Sequence, residues 1–284
     1  MTNSSKTPKN YKEIAKIPKS LIKELPTSYD FIGDIILIKL RDNLLPYKNE
    51  IGLALLKSIK HSKTVCLIEP VKGELRTRNL EIIAGEEKTI TTHKEYGLKF
   101  ELDVSKVYFS SRLATERKRI TDLVEEDEVI IDMFSGVAPF SIMIAKYSNP
   151  KIVYSIDKNE DATKFAKRNV IINKVLDKVE VICENSKNLS EIFTNNKILP
   201  DRIIMNLPFS AISFFEITLD VIGEKTEIHL YDISKENEIE NKINLLHKIA
   251  KNKRVKLKNI KINKIKSYAP REFYIGIDIT AIKI

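Results

Sequence analysis

The chain has 284 residues, 43% of them hydrophobic and 31% charged, with a formal net charge of +9. That is the balance of a soluble globular protein with a real core. It contains no apolar run near the roughly 18 residues that span a bilayer and no apolar leader after Met-Thr-Asn-Ser-Ser-Lys, so no membrane partner and a cytoplasmic setting are expected. Two distant cysteines, Cys66 and Cys183, and four histidines without ligand spacing give no expectation of a metal site.

The first thirty residues are polar and lysine-rich, with Pro18 and Pro26, and read as a partly ordered tail with a short helix over 19–25. From Gly33 a small α/β unit begins. It has a strand over 34–40, an amphipathic helix over 46–58 opened by proline in its first turn, and a strand over 64–68. Shorter strands follow near 80–84, 88–93 and 98–102. Residues 108–124 read as a loop running into a charged helix. Strand and helix then alternate to the end, with strands centred on Ile130, Val153, Val179, Ile203, Ile228, Lys258 and Ile277. Seven strands with intervening helices predict an α/β fold with a mostly parallel, Rossmann-like sheet. Its last two strands, joined tightly through 267–271, form an antiparallel hairpin. The expected divisions are a tail over 1–30, a small α/β domain over 31–105 and a Rossmann-like domain over 106–284.

Chemistry concentrates at strand ends in the third division. Residues 132–140, Asp-Met-Phe-Ser-Gly-Val-Ala-Pro-Phe, join the apolar run 129–131 to a helix over 140–147. Doubly wound α/β proteins hold small polar ligands at such a turn. Gly136 lets a ligand approach the backbone, while Asp132 either positions the turn or meets a ligand amino group. Asp157 lies 21 positions after Gly136 and closes the apolar run 152–156; a carboxylate there can accept hydrogen bonds from a ribose diol. A third apolar strand ends in Asn206-Leu-Pro208, where the amide offers donor and acceptor to a planar substrate and Pro208 fixes the backbone. Glycine turn, ribose acid and strand-end Asn-x-Pro together predict a class I methyltransferase that uses S-adenosyl-L-methionine.

Three longer runs carry a family resemblance: Tyr-Phe-Ser-Ser-Arg-Leu-Ala-Thr-Glu-Arg (108–117), Asp-Met-Phe-Ser-Gly-Val-Ala-Pro-Phe-Ser (132–141) and Asp-Arg-Ile-Ile-Met-Asn-Leu-Pro (201–208). With Gly-Glu-Leu-Arg-Thr-Arg (73–78) and His-Lys-Glu-Tyr-Gly (93–97), the chain resembles the archaeal and eukaryal tRNA guanine-37 N1-methyltransferases over about 33–284. The resemblance implies methyl transfer to guanine N1 beside the anticodon of tRNA, by a monomer. It implies Glu116 as general base, Arg76 as the residue that stabilises charge developing on the base, and Asn206 with Pro208 as the catalytic Asn-x-Pro. Cofactor contacts are expected from Tyr108, Asp132, Phe134, Gly136, Val137, Asp157, Lys158, Glu184, Asn185 and Asn206. RNA contacts are expected from Arg112, Arg117 and Arg119. Without the resemblance, Glu116 reads as a helix carboxylate paired with Arg112 or Arg119. The chemistry is coherent, because guanine N1 is a poor nucleophile until its proton is removed.

The chain departs from the family pattern in three places. Ala138 replaces a motif glycine. Cys183-Glu184-Asn185 stands where an aspartate usually meets adenine, so Glu184 or Asn185 must serve. The additional N-terminal domain that many members use to check the tRNA elbow cannot be formed by thirty polar residues, so recognition is expected to fall on the small domain and a basic C-terminal surface. Residues 251–284 hold ten Lys/Arg against Glu272 and Asp278. That stretch reads either as a solvated edge strand or as a phosphate-binding stripe. Rival readings are aminocarboxypropyl transfer, against which Asn206-Leu-Pro208 argues, methylation of a tricyclic wyosine precursor, a non-catalytic tRNA-binding protein, and a protein methyltransferase.

Overall fold

The computed structural model describes residues 10–69, 79–194 and 198–284. The chain divides into two compact units, the first ending at Arg112 and the second comprising Leu113–Ile284.

In the first unit, β1 (Asp30–Ile32) and β2 (Ile35–Ile38) form a hairpin closed at Gly33, and α1 (Lys48–Ser58) leads to β3 (Thr64–Ile68) and β4 (Leu80–Gly85). The sheet order is β1-β2-β3-β4, with β2 and β3 parallel as a helical crossover requires. Gly33 has φ +59, and a Cβ there would lie 2.0 Å from Thr91 Oγ1, so the turn admits no side chain. A separate ribbon pairs β5 (Ile90–Glu95) with β6 (Leu98–Asp103). Its turn places Tyr96 (φ 47) and Gly97 (φ 77) in the left-handed region, as two-residue hairpins favour.

Residues from Asn10 onward belong to this unit and are not a tail. Tyr11 (5% exposed) and Leu25 (2%) pack into its core with Ile36, Ile51 and Val65, and the Tyr11 hydroxyl donates to Pro26 O at 2.5 Å. Ile14, Ala15, Ile17 and Leu21, partly buried, pack against the same cluster, so the apolar positions of a lysine-rich stretch dock it. The first unit also runs on to Arg112, past the expected boundary at 105. The helix expected from Pro46 starts later, because Asp42–Tyr47 forms a 3-10 turn ahead of α1.

The second unit opens with α2 (Ala114–Thr121) and continues β7 (Val129–Asp132), α3 (Pro139–Tyr147), β8 (Ile152–Asp157), α4 (Glu160–Ile172), β9 (Val179–Cys183), α5 (Leu189–Phe193), β10 (Arg202–Met205), α6 (Phe215–Val221), β11 (Lys225–Lys235), α7 (Ile239–Asn252), β12 (Val255–Ala269) and β13 (Glu272–Lys283). The sheet order is β12-β13-β11-β10-β7-β8-β9. From β9 to β11 all neighbours are parallel, while β13 enters antiparallel between β11 and β12. The seven-stranded Rossmann-like sheet and the closing hairpin are as the apolar runs predict. The central strands are buried on both faces, so Val-Ile-Ile and Ile-Ile-Met run without alternation. β12 is the edge strand, with Lys256, Lys258 and Lys261 exposed, an arrangement that serves both a solvated edge and a phosphate-binding stripe. No helix among the described residues is long and apolar enough to cross a membrane.

Candidate active site

The turn after β7 is built on Asp157. Gly136 N–H donates to Asp157 Oδ2 at 2.7 Å and Asn159 N–H to Oδ1 at 2.9 Å, so the carboxylate closing β8 clamps the loop that closes β7. Gly136 is left-handed at φ 57. Ala138 is also left-handed (φ 66, ψ 37), ahead of Pro139 at the start of α3. Alanine therefore keeps the backbone shape a glycine would take, against a cost of about 1–2 kcal/mol for an L-residue in that region.

Asp132 is fully buried at the end of β7. Ser141 Oγ donates to its Oδ2 at 2.8 Å, but Oδ1 has no partner among the described residues, nor do the buried hydroxyls of Ser135 and Ser155. Burial pushes the Asp132 carboxyl up to about 7, opposed by the Ser141 hydrogen bond and reinforced by the charge of Asp157. A buried, orphaned carboxylate oxygen is satisfied by a cationic or N–H donor from outside the chain. Burial also raises Asp157, against its two backbone donors. Phe134 is half-buried and packs edge-on against Phe214 at 5.0 Å, and Val137 is buried. At the end of β9, Asn185 Oδ1 caps a 3-10 turn by accepting from Lys187 N–H. Glu184 Oε1 accepts from Asn185 N–H (2.7 Å) and Asn188 Nδ2 (3.1 Å). Both side chains serve their own loop, with Glu184 Oε2 uncommitted. Lys158 is half-buried, and its charge opposes the rise at Asp157.

A second cluster surrounds Glu116, which is 5% exposed on α2. Its Oε1 accepts from Arg119 (2.7 Å) and from the Tyr231 hydroxyl (2.7 Å), and its Oε2 accepts, among the described residues, from Arg119 Nε alone (2.9 Å). Tyr231 stacks on Tyr274 (centroids 6.0 Å), whose hydroxyl donates to Asn206 Oδ1. Asn206, just after β10, is thus fixed with its carbonyl engaged and its NH2 pointing away from Tyr274. Two stacked tyrosines bring the carboxylate and the amide into one constellation. Pro208 is buried, and Leu207 O accepts from Ser210 and Ala211 N–H to close the turn.

The arginines divide differently from expectation. Arg117 is 1% exposed, and Arg119 commits Nε and both terminal nitrogens to Glu116 and Asp278. Neither presents a free head group to an RNA phosphate. Basic residues in a charged helix look outward-facing only until the helix acquires buried acids. Arg112, in the first unit, pairs with Asp30 at 2.7 Å yet keeps a side chain 49% exposed. Tyr108 is a half-buried residue of the first unit, and Arg76 lies outside the described residues.

Sequence reading missed Tyr231, Tyr274, Asp278, His229 and Arg202. One signal was available: His229 and Asp232 are polar residues inside the apolar run of β11, and each needs a buried partner.

Residues 91–267 match the family model described as the TRM5/TYW2 methyltransferase domain, and residues 12–89 match the TYW2 N-terminal domain. The chain is 39% identical over 276 residues to the tRNA (guanine(37)-N(1))-methyltransferase Trm5b of Pyrococcus abyssi, covering 96% of this chain and 81% of that protein. The crystal structure of that Trm5b superposes with a TM-score of 0.87, covering 98% of this chain and 82% of the other. The tRNA(Phe) (4-demethylwyosine(37)-C(7)) aminocarboxypropyltransferase of Methanocaldococcus jannaschii is 32% identical (88% and 96% covered). The tRNA 4-demethylwyosine(37)-methyltransferase Taw21 of Saccharolobus solfataricus is 34% identical (93% and 99% covered).

Proposed function

The chain belongs to the TRM5/TYW2 methyltransferase family, and from that premise we propose that it transfers the methyl group of S-adenosylmethionine to N1 of guanine 37 in tRNA. S-adenosylmethionine supplies, when bound, an electrophilic sulfonium methyl whose transfer needs neither a metal nor an acid. The residues present fit it. The orphaned Asp132 Oδ1 suits the ammonium of its methionine end, the open Gly136 turn admits it to the backbone, and the remaining lone pairs of Asp157 suit its ribose hydroxyls. Phe134, Val137, Lys158, Glu184 and Asn185 line the same strand ends.

The observation that carries the reading is the state of Glu116. Its Oε1 is saturated by two donors, while Oε2 carries one and keeps a lone pair for an incoming proton. Glu116 accepts the guanine N1 proton at Oε2, so the N1–H electron pair becomes available to attack the methyl carbon. The Asn206 NH2, oriented by Tyr274, donates to the guanine O6 as negative charge grows there. Arg76 stabilises the same charge, and Tyr108 and Pro208 help hold the base. Arg112 and the lysines of β12 contact the RNA backbone around the anticodon loop, so the first unit and the basic edge carry recognition. The chain acts as a monomer in the cytoplasm.

A second reading has its own support. Residues 12–89 match a TYW2 N-terminal domain, and Taw21 aligns over 99% of its length. The competing substrate is therefore a tricyclic wyosine precursor at position 37, with methyl transfer, the reaction in the name of Taw21, or aminocarboxypropyl transfer, the reaction in the name of the Methanocaldococcus relative. The deciding experiment offers labelled S-adenosylmethionine to three tRNAs that differ only at position 37: guanine, adenine and 4-demethylwyosine. Label in 1-methylguanosine from the first alone is the expected result. Label in the third alone would replace guanine as the substrate.

Asp132→Asn tests the cofactor site. A carboxyl whose folded pKa exceeds its unfolded value stabilises the fold while protonated, and that contribution fades as pH rises from about 4 through about 7. The variant escapes this loss. Its melting temperature without ligand should exceed the wild type's by more at pH 8 than at pH 5, while calorimetry shows weaker S-adenosylmethionine binding. Equal shifts at both pH values would mean that Asp132 does not ionise in this range.

A further inference from the structure

Glu116 terminates a chain of buried charge that the proposed methyl transfer does not use, and any catalytic role for that chain depends on Glu116 being the base. Arg119 bridges two carboxylates, with Nε and NH2 on Glu116 and NH1 and NH2 on Asp278 of β13 (2.8 and 3.1 Å). Asp278 accepts in turn from Asn263 Nδ2 of β12 (2.8 Å) and bonds His229 Nδ1 of β11 (2.6 Å). His229 Nε2 faces Arg202 of β10 at 2.7 Å. Arg202 can only donate, so Nε2 accepts, the proton sits on Nδ1 and the ring is neutral. Burial lowers the His229 pKa and holds it in that form. Arg202 is clamped by both oxygens of Glu128 at 2.7 Å and by Leu123 O.

The hydrogen-bonded groups named above comprise three carboxylates (Glu116, Asp278 and Glu128) and two cations (Arg119 and Arg202), with His229 and Tyr231 neutral. Protonation of Glu116 leaves those groups with equal numbers of each sign. Once Glu116 is neutral, Arg119 would lose its counter-charge in a half-buried site were Asp278 not already bonded to two of its nitrogens. Gly276 lets β13 approach the Tyr231 ring, since a Cβ there would stand 3.2 Å from Tyr231 Cε1, tighter than an ordinary contact.

We infer that Asp278 is a positioning residue that retains Arg119 when Glu116 takes the proton. With Arg119 held on β13 by NH1 and NH2 and Oε1 held by the Tyr231 hydroxyl, the carboxylate keeps its orientation and Oε2 stays directed at the incoming base.

The test is the single-turnover methyl-transfer rate with tRNA and S-adenosylmethionine saturating, read beside the melting temperature and cofactor affinity of each variant. Asp278→Asn leaves Glu116 as the sole anion on Arg119, so the rate should fall roughly tenfold with cofactor affinity unchanged, and Asp278→Glu, which keeps the second anion, should recover most of it. A merely structural role would lower the melting temperature or the active fraction without changing the rate per active site. Should Asp278→Asn not fold, Asn263→Ala, which removes one anchor of Asp278 without removing its charge, should slow transfer in the same direction. Rates equal to wild type in every folded variant overturn the inference. Failure of the underlying reading is separate: it would appear as an undiminished rate in Glu116→Gln.

Discussion

Glu116→Gln is expected to slow single-turnover methyl transfer about 100-fold or more while leaving S-adenosylmethionine binding near normal. The amide preserves shape and can still accept from Tyr231 at its carbonyl, but it cannot take a proton from guanine N1. It also turns an NH2 toward Arg119, setting donor against donor where the carboxylate accepted from Nε and NH2. The turn residues expected to bind the cofactor, Gly136 and Asp157, make none of the hydrogen bonds around Glu116. Binding should therefore report an intact site while chemistry fails. A rate within about threefold of wild type would remove Glu116 as the base and reduce it to a helix carboxylate paired with Arg119.

Arg202→Leu is expected to be the most damaging change to stability, costing about 3–5 kcal/mol. Arg202 is 4% exposed between Glu128, His229 and a backbone carbonyl. Leucine fills much of the space but leaves Glu128 buried without its counter-ion and His229 Nε2 without its donor. At about 2–4 °C per kcal/mol for a unit of this size, thermal unfolding should move down by roughly 10 °C. A shift under about 2 °C would show that Glu128 finds water or protonates at little cost. Pairing Arg202→Leu with Glu128→Leu should recover much of the loss, because removing both ions also removes the uncompensated charge.

The parts of the site that were legible in sequence are those whose logic is local. A buried strand, a left-handed glycine and the carboxylate at the next strand end all lie between Val129 and Asp157, and the sheet register joins them. Asn206 was legible for the same reason, as the polar stop to an apolar run. Around Glu116 the pairing with Arg119, three positions along the helix, was legible, but the burial and the long-range partners were not. Tyr231 is 115 positions away and Asp278 is 159 positions from Arg119, contacts set by the insertion of β13. No periodicity in α2 signals that its arginines face inward, and a helix of alternating charge reads the same whether solvent or buried acids meet it. The N-terminal segment misleads through average composition: Tyr11, Leu25 and the partly buried Ile14, Ile17 and Leu21 outweigh the surrounding lysines once a core accepts them.

The antiparallel insertion of β13 has a consequence for how the enzyme is made. Its 12 residues supply Tyr274, Gly276 and Asp278 and are translated after every strand they pair with. Until Lys283 has left the ribosome, β11 and β12 lack their common neighbour, Asn206 lacks its tyrosine and Arg119 its second carboxylate. A nascent or prematurely stopped chain could thus assemble the Gly136–Asp157 turn and still hold an unaligned base. The residues that fix Asn206 and Arg119 thus reach the sheet only after both strands that flank β13 have been translated.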